Sequence, residues 1–170
     1  MLHSLRQQKP SDKPRWALAD FVAPEGQGGQ GGYVGALQLS ITGAETWAAE
    51  LEAAHDTYSA LLVGALACML AEALAELAHE RVREFWPGEG AIRPACGYPS
   101  QPDHAEKETV FRLLNATELT GATLTESYMM NPTASVCALL FNHPQAHYFA
   151  VGPLGDDQRA DYEGRSGHRL

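Results

Sequence analysis

The chain contains few cysteines, and their spacing excludes a common structural use of this residue. Only three of its 170 residues are cysteine, namely Cys68, Cys96 and Cys137, and no Cys-x-x-Cys pair occurs. An odd number of widely spaced cysteines does not form the disulfide framework of a small secreted domain. The cysteine content therefore favours a reducing compartment.

Basic residues are also scarce. The chain carries 12 Lys and Arg against 21 Asp and Glu, which gives a formal net charge of −9 at pH 7. Binding to nucleic acid requires clustered cations that neutralise phosphates. The charge balance therefore argues against nucleic acid as a main partner, and we expect none.

A long hydrophobic run is missing from the sequence. The longest apolar stretch covers residues 60–71 and is interrupted by Glu72. That length is too short to span a bilayer, which takes about 20 apolar residues. Residues 1–15 are polar and contain two lysines and two prolines, unlike a secretory signal. We therefore expect a cytoplasmic protein with no membrane partner.

The motifs of common catalytic sites are absent as well. Neither a nucleophile elbow nor a His-Glu-x-x-His pattern occurs. The glycine-rich residues 25–32 lack the Lys-Ser/Thr ending of a phosphate-binding loop, so we interpret them as a linker. Glu76 and His79 have the Glu-x-x-His spacing of carboxylate metal sites, but no second copy exists. We predict no metal site and no acid–base catalytic residue.

A strand and a helix are predicted in the first third of the chain. Residues 33–41 alternate loosely between two faces, which is typical of a strand. Thr42 and Glu45 then have the spacing of a capping box, in which each side chain binds a first-turn amide. This pattern predicts a helix that ends near Ala54.

The strongest predicted helix covers residues 57–85. Asp56 is its predicted N-cap, and Pro87 and Gly88 are predicted to end it. Apolar residues recur with 3.6-residue spacing, so we expect one face to be buried. The residues of that face are Tyr58, Leu61, Leu62, Ala65, Leu66, Met69, Ala73, Leu77 and Val82.

Another helix and three strands follow. Asp103 is the predicted cap of a helix that has Glu106 at the reciprocal position and ends at Gly121. Its predicted inward residues are Val110, Phe111, Leu113 and Leu114. Residues 123–130, 135–141 and 147–151 are predicted strands, and a last helix begins near residue 155. Turns between the strands indicate antiparallel pairing. The fold class is therefore predicted as α+β, a twisted antiparallel sheet with flanking helices.

The most informative segment is the proline-rich run at residues 93–104. Its three prolines fix φ and remove amide donors, so we predict a stiff, extended loop. Arg93 can hold a carboxylate through two parallel hydrogen bonds, although a surface salt bridge is the alternative. Ala95 and Gly97 leave the backbone open, and Tyr98 adds an aromatic ring. These residues predict a cradle for a small zwitterionic ligand.

The same run resembles a motif of a known family. Residues 93–99 are similar to the Arg-Pro-Ala-Pro-Gly-Tyr-Pro segment of the activation domain of cobalamin-dependent methionine synthase, with Cys96 in place of a proline. Further segments are similar in order and spacing: 5–8, 18–24, 70–83, 124–127, 131–136, 148–151 and 157–162. The similarity covers about residues 4–163. The chain is identified as a shortened member of this family.

The resemblance implies S-adenosylmethionine as a ligand and cobalamin, bound by a partner domain or chain, as the methyl acceptor. It implies that Arg93 binds the ligand carboxylate, Ala95 offers backbone contacts and Glu72 lies near the cationic end. Tyr98 and Tyr148 are implied to orient the ligand, although residues alone would more often place Tyr148 in the core. The implied chemistry is positioning, so no catalytic side chain is expected.

The resemblance also implies a surface that approaches the corrin ring. In the loop at residues 131–136, three residues are implied to face it: Pro132, Ala134 and Ser135. Asn131 and Thr133 stand where the family pattern has a bulky residue and a glycine. Without the family match, this loop would be interpreted as a β-turn alone.

Three segments and two kinds of partner are expected from the resemblance. Residues 1–15 form an N-terminal tail or an incomplete initial segment, 16–165 the activation domain and 166–170 a second tail. Family members return oxidised Co(II) enzyme to the cycle by reductive methylation, with an electron from flavodoxin or a flavoprotein reductase. The expected partners are therefore the cobalamin-binding domain of methionine synthase and one of these flavoproteins.

Two other functions stay open at the level of sequence. One is a non-catalytic remnant that only docks on a corrinoid protein or flavodoxin. The other is a stand-alone reactivation factor for a different corrinoid methyltransferase. The chain starts later than family members and stops before their usual C-terminal helix. Contact with an acidic flavodoxin needs a local basic patch. The candidate residues for it are Arg81, Arg83 and Lys107, with Arg112 as a further candidate.

Overall fold

The computed structural model describes residues 1–8, 12, 14–24, 32–86 and 90–169. The α-helices are α1 (Ala44–Ala53), α2 (Thr57–Phe85), α3 (Glu106–Leu114), α4 (Ala116–Thr120) and α5 (Asp156–Ser166). The β-strands are β1 (Gly35–Ser40), β2 (Ala91–Ile92), β3 (Thr123–Leu124), β4 (Met130–Asn131) and β5 (Ser135–Asn142). A short 3-10 helix at Leu18–Phe21 precedes them.

Strand β5 is the centre of the main sheet. β1 pairs with it antiparallel, from Gly35 opposite Leu140 to Ser40 opposite Ser135. β2 pairs with it antiparallel on the other side, and β3 and β4 form a separate antiparallel pair. The predicted α+β class, with an antiparallel sheet and flanking helices, is confirmed.

β5 is buried on both faces, which its continuous apolar sequence favours. Successive strand residues point to opposite faces, so β5 contributes to two cores. On one face Val136 packs with Leu39 of β1 and with Ala71 and Ala75 of α2. The opposite face belongs to the larger core, which includes Cys137, Leu139, Phe141, Val110, Phe111, Phe21 and Tyr162. The sheet is therefore covered on both sides.

The predicted bounds of α2 agree with the structure. The helix covers Thr57–Phe85, and the Asp56 carboxylate accepts the Ser59 N–H at 3.0 Å. That bond lowers the pKa of Asp56, because it stabilises the charged form. The predicted stop at Pro87 and Gly88 lies outside the described residues.

The predicted buried face of α2 is wrong. Its large apolar residues are exposed, with Tyr58 73% and Leu61 70% exposed, and the same holds for Leu62, Leu66, Met69 and Leu77. The buried residues are instead Ala60, Val63, Ala67, Ala71, Ala75 and His79. The helix is apolar on most sides, so the 3.6-residue period fits either face. Ala71 and Ala75 pack against the sheet beside Leu39 and Val136, where their small side chains permit close approach.

Helix α1 begins without the predicted capping box. Its N-cap is Gly43, which has φ 86° and makes no side-chain cap. Glu45 instead accepts the Thr133 N–H at 2.9 Å through Oε1. The carboxylate therefore fixes the loop before β5 rather than the first turn of its own helix.

The helix predicted from Asp103 to Gly121 is two helices. Asn115, with φ 50°, ends α3 and precedes α4, and Gly121, with φ 74°, ends α4 as predicted. The break turns the chain, so Val110 and Phe111 are buried while Leu113 is 62% exposed. An asparagine tolerates this left-handed conformation better than most residues.

Two of the three predicted strands differ from the structure. The segment 123–130 contains only β3 and the start of β4, joined by a turn. Residues 147–151 form no strand, because their backbone groups bind irregular segments: Val151 donates its N–H to Pro99 O at 2.9 Å and accepts the Gln8 N–H at 2.8 Å. β5 matches the predicted strand at residues 135–141, and α5 matches the predicted last helix.

The described residues near the N-terminus pack against the rest of the fold. Leu5 is 3% exposed and belongs to the larger core. The Gln7 N–H donates to Trp16 O at 2.9 Å. The predicted segment boundaries at residues 15–16 and 165–166 stay a prediction.

By length and composition, α2 is long and apolar enough to cross a membrane. Core helices of water-soluble proteins pass the same criteria. In this fold the buried residues of α2 lie on one side of the helix, and two of them, Ala71 and Ala75, pack on the sheet.

Candidate functional site

The proline-rich loop is attached to β5 by backbone contacts. The Leu139 N–H donates to Pro94 O at 2.9 Å, and Ala95 forms an antiparallel bridge with Ala138. Pro94 is among the most deeply buried residues of the chain. These contacts fix the loop at the sheet, and its prolines limit its backbone freedom.

A tight turn follows within the loop. The Tyr98 N–H donates to Ala95 O at 3.2 Å, and the Gly97 N–H donates to Gln101 O at 2.7 Å. Gly97 has φ 96°, which side chains rarely adopt, and an added Cβ would lie 2.1 Å from the His104 ring. The turn therefore requires glycine at this position for two reasons.

The loop forms one wall of a cavity of about 670 Å³. The other walls come from α2, the start of α3, the β3–β4 hairpin, β5 and residues 148–150. The structure places all five predicted ligand-binding residues on this cavity: Glu72, Arg93, Ala95, Tyr98 and Tyr148. The size falls within the range of small-molecule sites.

Arg93 is held in place by acidic residues of α2. Its side chain is 10% exposed, and Nη2 donates to Glu76 Oε1 at 2.6 Å. Nη1 lies 4.0 Å from Glu72 Oε2. Nε is buried and has no hydrogen-bond partner among the described residues. The guanidinium is thus held by α2 on one side and retains an unused donor.

Two tyrosines leave their rings open at the same cavity. Tyr148 is 63% exposed and Tyr98 is 61% exposed. The Tyr148 hydroxyl accepts the Arg93 backbone N–H at 2.9 Å, which fixes the phenol beside the arginine. Tyr148 is therefore not a core residue, although the sequence alone would favour a position in the core.

Comparison with known families identifies the family of the chain that forms this cavity. The family described as vitamin B12 dependent methionine synthase, activation domain, matches residues 1–167. The chain belongs to this family.

A solved structure is similar to this activation domain. The crystal structure of the MetH reactivation domain bound to AdoHcy has 41% sequence identity to the chain and a TM-score of 0.90. The match covers 98% of this chain and 57% of the MetH chain. This activation domain therefore spans a little more than half the length of that relative.

The three predicted corrin-facing residues of the activation domain do not share one environment. Ser135 lies on the cavity wall, and its Oγ donates to Pro132 O at 2.6 Å. Ala134 is 5% exposed and belongs to a different groove, beside α1 and α2. Among the described residues that line the large cavity, neither Pro132 nor Ala134 occurs. Their predicted role stays a prediction.

Several cavity residues were missed from the sequence. Cys96 and Cys137 are both buried, and their thiols contact each other. The hydrogen bond to Cys137 and burial raise the pKa of the Cys96 thiol, so it stays protonated. Lys107 also lies on the cavity wall and is 3% exposed, so it cannot belong to the predicted surface basic patch. The long-range contacts of Pro94 and Ala95 with β5 bring the two thiols together, and no local pattern encodes them.

Two histidines make the stability of the activation domain depend on pH. Burial lowers the pKa of His79, and Arg83 and Arg93 lower it further. Burial and Lys107 lower the pKa of His104. The unfolded chain then binds more protons than the folded one as pH falls below about 6.5. We expect the midpoint of thermal unfolding to be highest above about pH 7 and to fall toward about pH 5 in scanning calorimetry.

The control for this pH dependence is an exposed histidine. His55 is exposed and has φ 61°, a conformation that asparagine tolerates. His55→Asn should leave the pH dependence of the unfolding midpoint unchanged, whereas His79→Asn should make it shallower. An unfolding midpoint that rises on acidification would contradict the burial argument.

Proposed function

We propose that this activation domain binds S-adenosylmethionine in the cavity and presents its methyl group to cobalamin held by a partner domain of vitamin B12-dependent methionine synthase. Bound cobalamin supplies the reduced cobalt that accepts the methyl group. The domain contributes binding and alignment, and it acts as a module of the methyltransferase rather than as an independent enzyme.

The observation that carries this proposal is the unused donor of Arg93. A buried polar group without a partner is costly, so its persistence in a cavity favours a ligand that satisfies it. A carboxylate fits this need, because an arginine holds one through charge-assisted hydrogen bonds. The AdoHcy bound to the similar MetH domain supports a ligand of this kind.

The charges around Arg93 fit the remaining groups of the ligand. S-adenosylmethionine carries an ammonium and a sulfonium next to its carboxylate. The Glu72 side chain is 64% exposed on the cavity wall and offers a carboxylate to these cations. The exposed rings of Tyr98 and Tyr148 provide flat surfaces, and cations bind favourably to such faces. Ala95, whose backbone bonds the turn and β5, leaves room for the ligand.

The partner domain is proposed to cover the side of the cavity that carries the loop 131–136. Ser135 connects that loop to the cavity wall through its bond to Pro132 O. Pro132 and Ala134 are proposed to approach the corrin from this loop. Thr133 is fixed by Glu45 at 2.9 Å, which gives the loop a defined position.

An electron donor is a further proposed partner. We propose flavodoxin or a flavoprotein reductase, in the cytoplasm, as the source of the electron for reductive methylation. With Lys107 buried, the remaining exposed cations for such a contact are Arg81, Arg83 and Arg112. Arg81 is already bound to Glu84 at 2.9 Å, which leaves less of its charge for a partner.

Calorimetric titration of the chain with S-adenosylmethionine tests the ligand proposal. We expect measurable binding to one site, and competition with AdoHcy at that same site. Tyr148→Phe removes the hydroxyl that accepts the Arg93 N–H and should weaken binding by about two- to tenfold. No heat at millimolar ligand would contradict the proposal.

The contact between Arg93 and Glu76 favours one alternative. At 2.6 Å, Glu76 occupies a donor that a ligand carboxylate could use. A docking domain that contacts a corrinoid protein without binding S-adenosylmethionine would keep the ion pair between Arg93 and Glu76. Glu76→Gln separates the two functions. The variant should strengthen the binding of S-adenosylmethionine if Arg93 is the carboxylate site. In a docking domain it should not change ligand binding.

A further inference from the structure

Lys107 is a buried cation with an unusual environment. It is one of three lysines in the chain and is 3% exposed at the start of α3. Its Nζ contacts His104 Nδ1 at 2.6 Å and donates to Tyr128 O at 3.0 Å. Both partners are uncharged when His104 is neutral. Burial of an ammonium against neutral groups is costly, which indicates a function for Lys107.

The two contacts of Lys107 connect two segments that line the cavity. His104 is the last residue of the proline-rich run, and it lies so close to the turn of this run that a Cβ at Gly97 would be 2.1 Å from its ring. Tyr128 belongs to the turn of the β3–β4 hairpin, and the next residue, Met129, is on the cavity wall. Lys107 therefore joins the loop, the start of α3 and the hairpin turn.

The hairpin turn has a backbone that needs support. Tyr128 has φ 59°, a conformation that non-glycine residues adopt rarely and at a cost. Its N–H donates to Thr125 O at 2.9 Å, and its carbonyl is the group that Lys107 binds. A charge-assisted bond to this carbonyl stabilises the turn in its observed form.

We propose that Lys107 is a positioning residue of the ligand cavity, which holds the proline-rich loop and the hairpin turn at a fixed separation through His104 and the Tyr128 carbonyl. The proposal rests on the proposed binding of S-adenosylmethionine. Lys107 lies on the cavity wall, but the argument needs only its two protein contacts. Preorganised walls bind more tightly, because the ligand does not have to order them.

The link to His104 makes the arrangement sensitive to acid. His104 accepts from Lys107 only while Nδ1 is unprotonated, and burial and Lys107 lower the pKa of His104. Asp103 faces His104 and opposes this shift, while Cys96 and Cys137 lie close to Lys107. Acidification therefore replaces an attractive contact by repulsion between two cations, and ligand affinity should fall.

Two substitutions of Lys107 test the proposal by calorimetry. Lys107→Met keeps a long side chain without charge and should weaken S-adenosylmethionine binding about tenfold or more at neutral pH. Lys107→Arg keeps the cation and should restore the affinity to within about threefold of the original chain. If the original chain binds and the Met variant binds equally well, the positioning role is wrong. If the original chain does not bind, the ligand proposal fails instead.

Hydrogen exchange tests the positioning role without any ligand. The Gly97 N–H bonds Gln101 O at 2.7 Å, and the Met129 N–H bonds Thr125 Oγ1 at 3.0 Å. In Lys107→Met both amides should exchange faster, while amides in the centre of β5 keep their protection. Unchanged exchange at both amides would overturn the proposal, whatever the ligand does. Faster exchange throughout the chain would show that Lys107→Met misfolds. In that case the exchange of the same two amides in Lys107→Arg tests the proposal instead.

The pH profile of binding separates this role from simple packing. In the original chain, affinity should fall as pH is lowered from about 7.5 to about 5.5. His104→Asn replaces Nδ1 by a neutral acceptor that does not titrate, so the acid weakening should disappear. If the Asn variant keeps the same acid weakening, His104 is not the group that couples Lys107 to the loop, and the proposal is wrong.

Discussion

Arg93→Ala is expected to lower the affinity for S-adenosylmethionine about ten- to a hundredfold, a loss of about 1.5–3 kcal/mol. The variant removes the unused Nε donor and the charge that a ligand carboxylate would bind. The fold should survive, because the Glu76 carboxylate that loses its partner is 70% exposed. Calorimetric titration measures the affinity, and circular dichroism confirms the fold.

Arg6 provides a matched control for the loss of an ion pair. It lies away from the cavity, and its Nη1 contacts Asp20 Oδ2 at 2.6 Å. Its side chain is 50% exposed. Arg6→Ala should leave the affinity within about twofold of the original chain, since exposed pairs contribute little. Arg93→Lys keeps the charge but loses the planar fork, so it should bind more weakly than the original chain. Equal affinities for Arg93→Ala and Arg6→Ala would argue against Arg93 as a ligand contact.

Gly97→Ala should destabilise the domain by about 2–5 kcal/mol and abolish measurable ligand binding. The new Cβ would enter a residue with φ 96° and would lie 2.1 Å from the His104 ring. The loop or the histidine must then move, and both are part of the cavity wall or support it. Urea unfolding and calorimetry give the two quantities.

Gly121→Ala separates backbone strain from collision. Gly121 has a similar left-handed conformation, with φ 74°, but a Cβ there meets nothing within 4 Å. It should cost only the backbone term, about 1–2 kcal/mol, and leave binding unchanged. If the two glycine variants lose the same stability, the contact between Gly97 and His104 contributes nothing.

The sequence predicted the bounds of helix α2 correctly and its buried face wrongly. A capping aspartate predicts where the helix begins, and a proline followed by a glycine predicts where it ends. The buried face could not be chosen in the same way, because Leu62 and Leu66 have the same four-residue spacing as Ala67 and Ala71. Close packing on the sheet selects the small residues, and that depends on tertiary structure.

The predicted strand at residues 147–151 failed for a related reason. Its alternation and aromatic content are typical of a strand, but strands need partners with free edges. Here the Val151 N–H binds Pro99 O, and the Ser100 hydroxyl donates to Phe149 O at 2.8 Å. The proline-rich loop satisfies this backbone in place of a neighbouring strand.

The candidate site could be predicted in part. The loop around Arg93 was found from its prolines and its glycine, and the family resemblance added Glu72 and Tyr148, which lie far from it in sequence. Cys137 and Lys107 were not found as cavity residues. They reach the cavity through the bridge of the loop to β5 and through the burial of α3, and neither contact leaves a local pattern.

A crystal structure of the chain with S-adenosylmethionine tests the central claim most directly. The account predicts the ligand in the cavity between α2, the proline-rich loop and the hairpin, with its carboxylate bound to the Arg93 guanidinium and its ammonium near Glu72. It would be contradicted by a ligand whose carboxylate lies elsewhere while Arg93 keeps only its contact with Glu76.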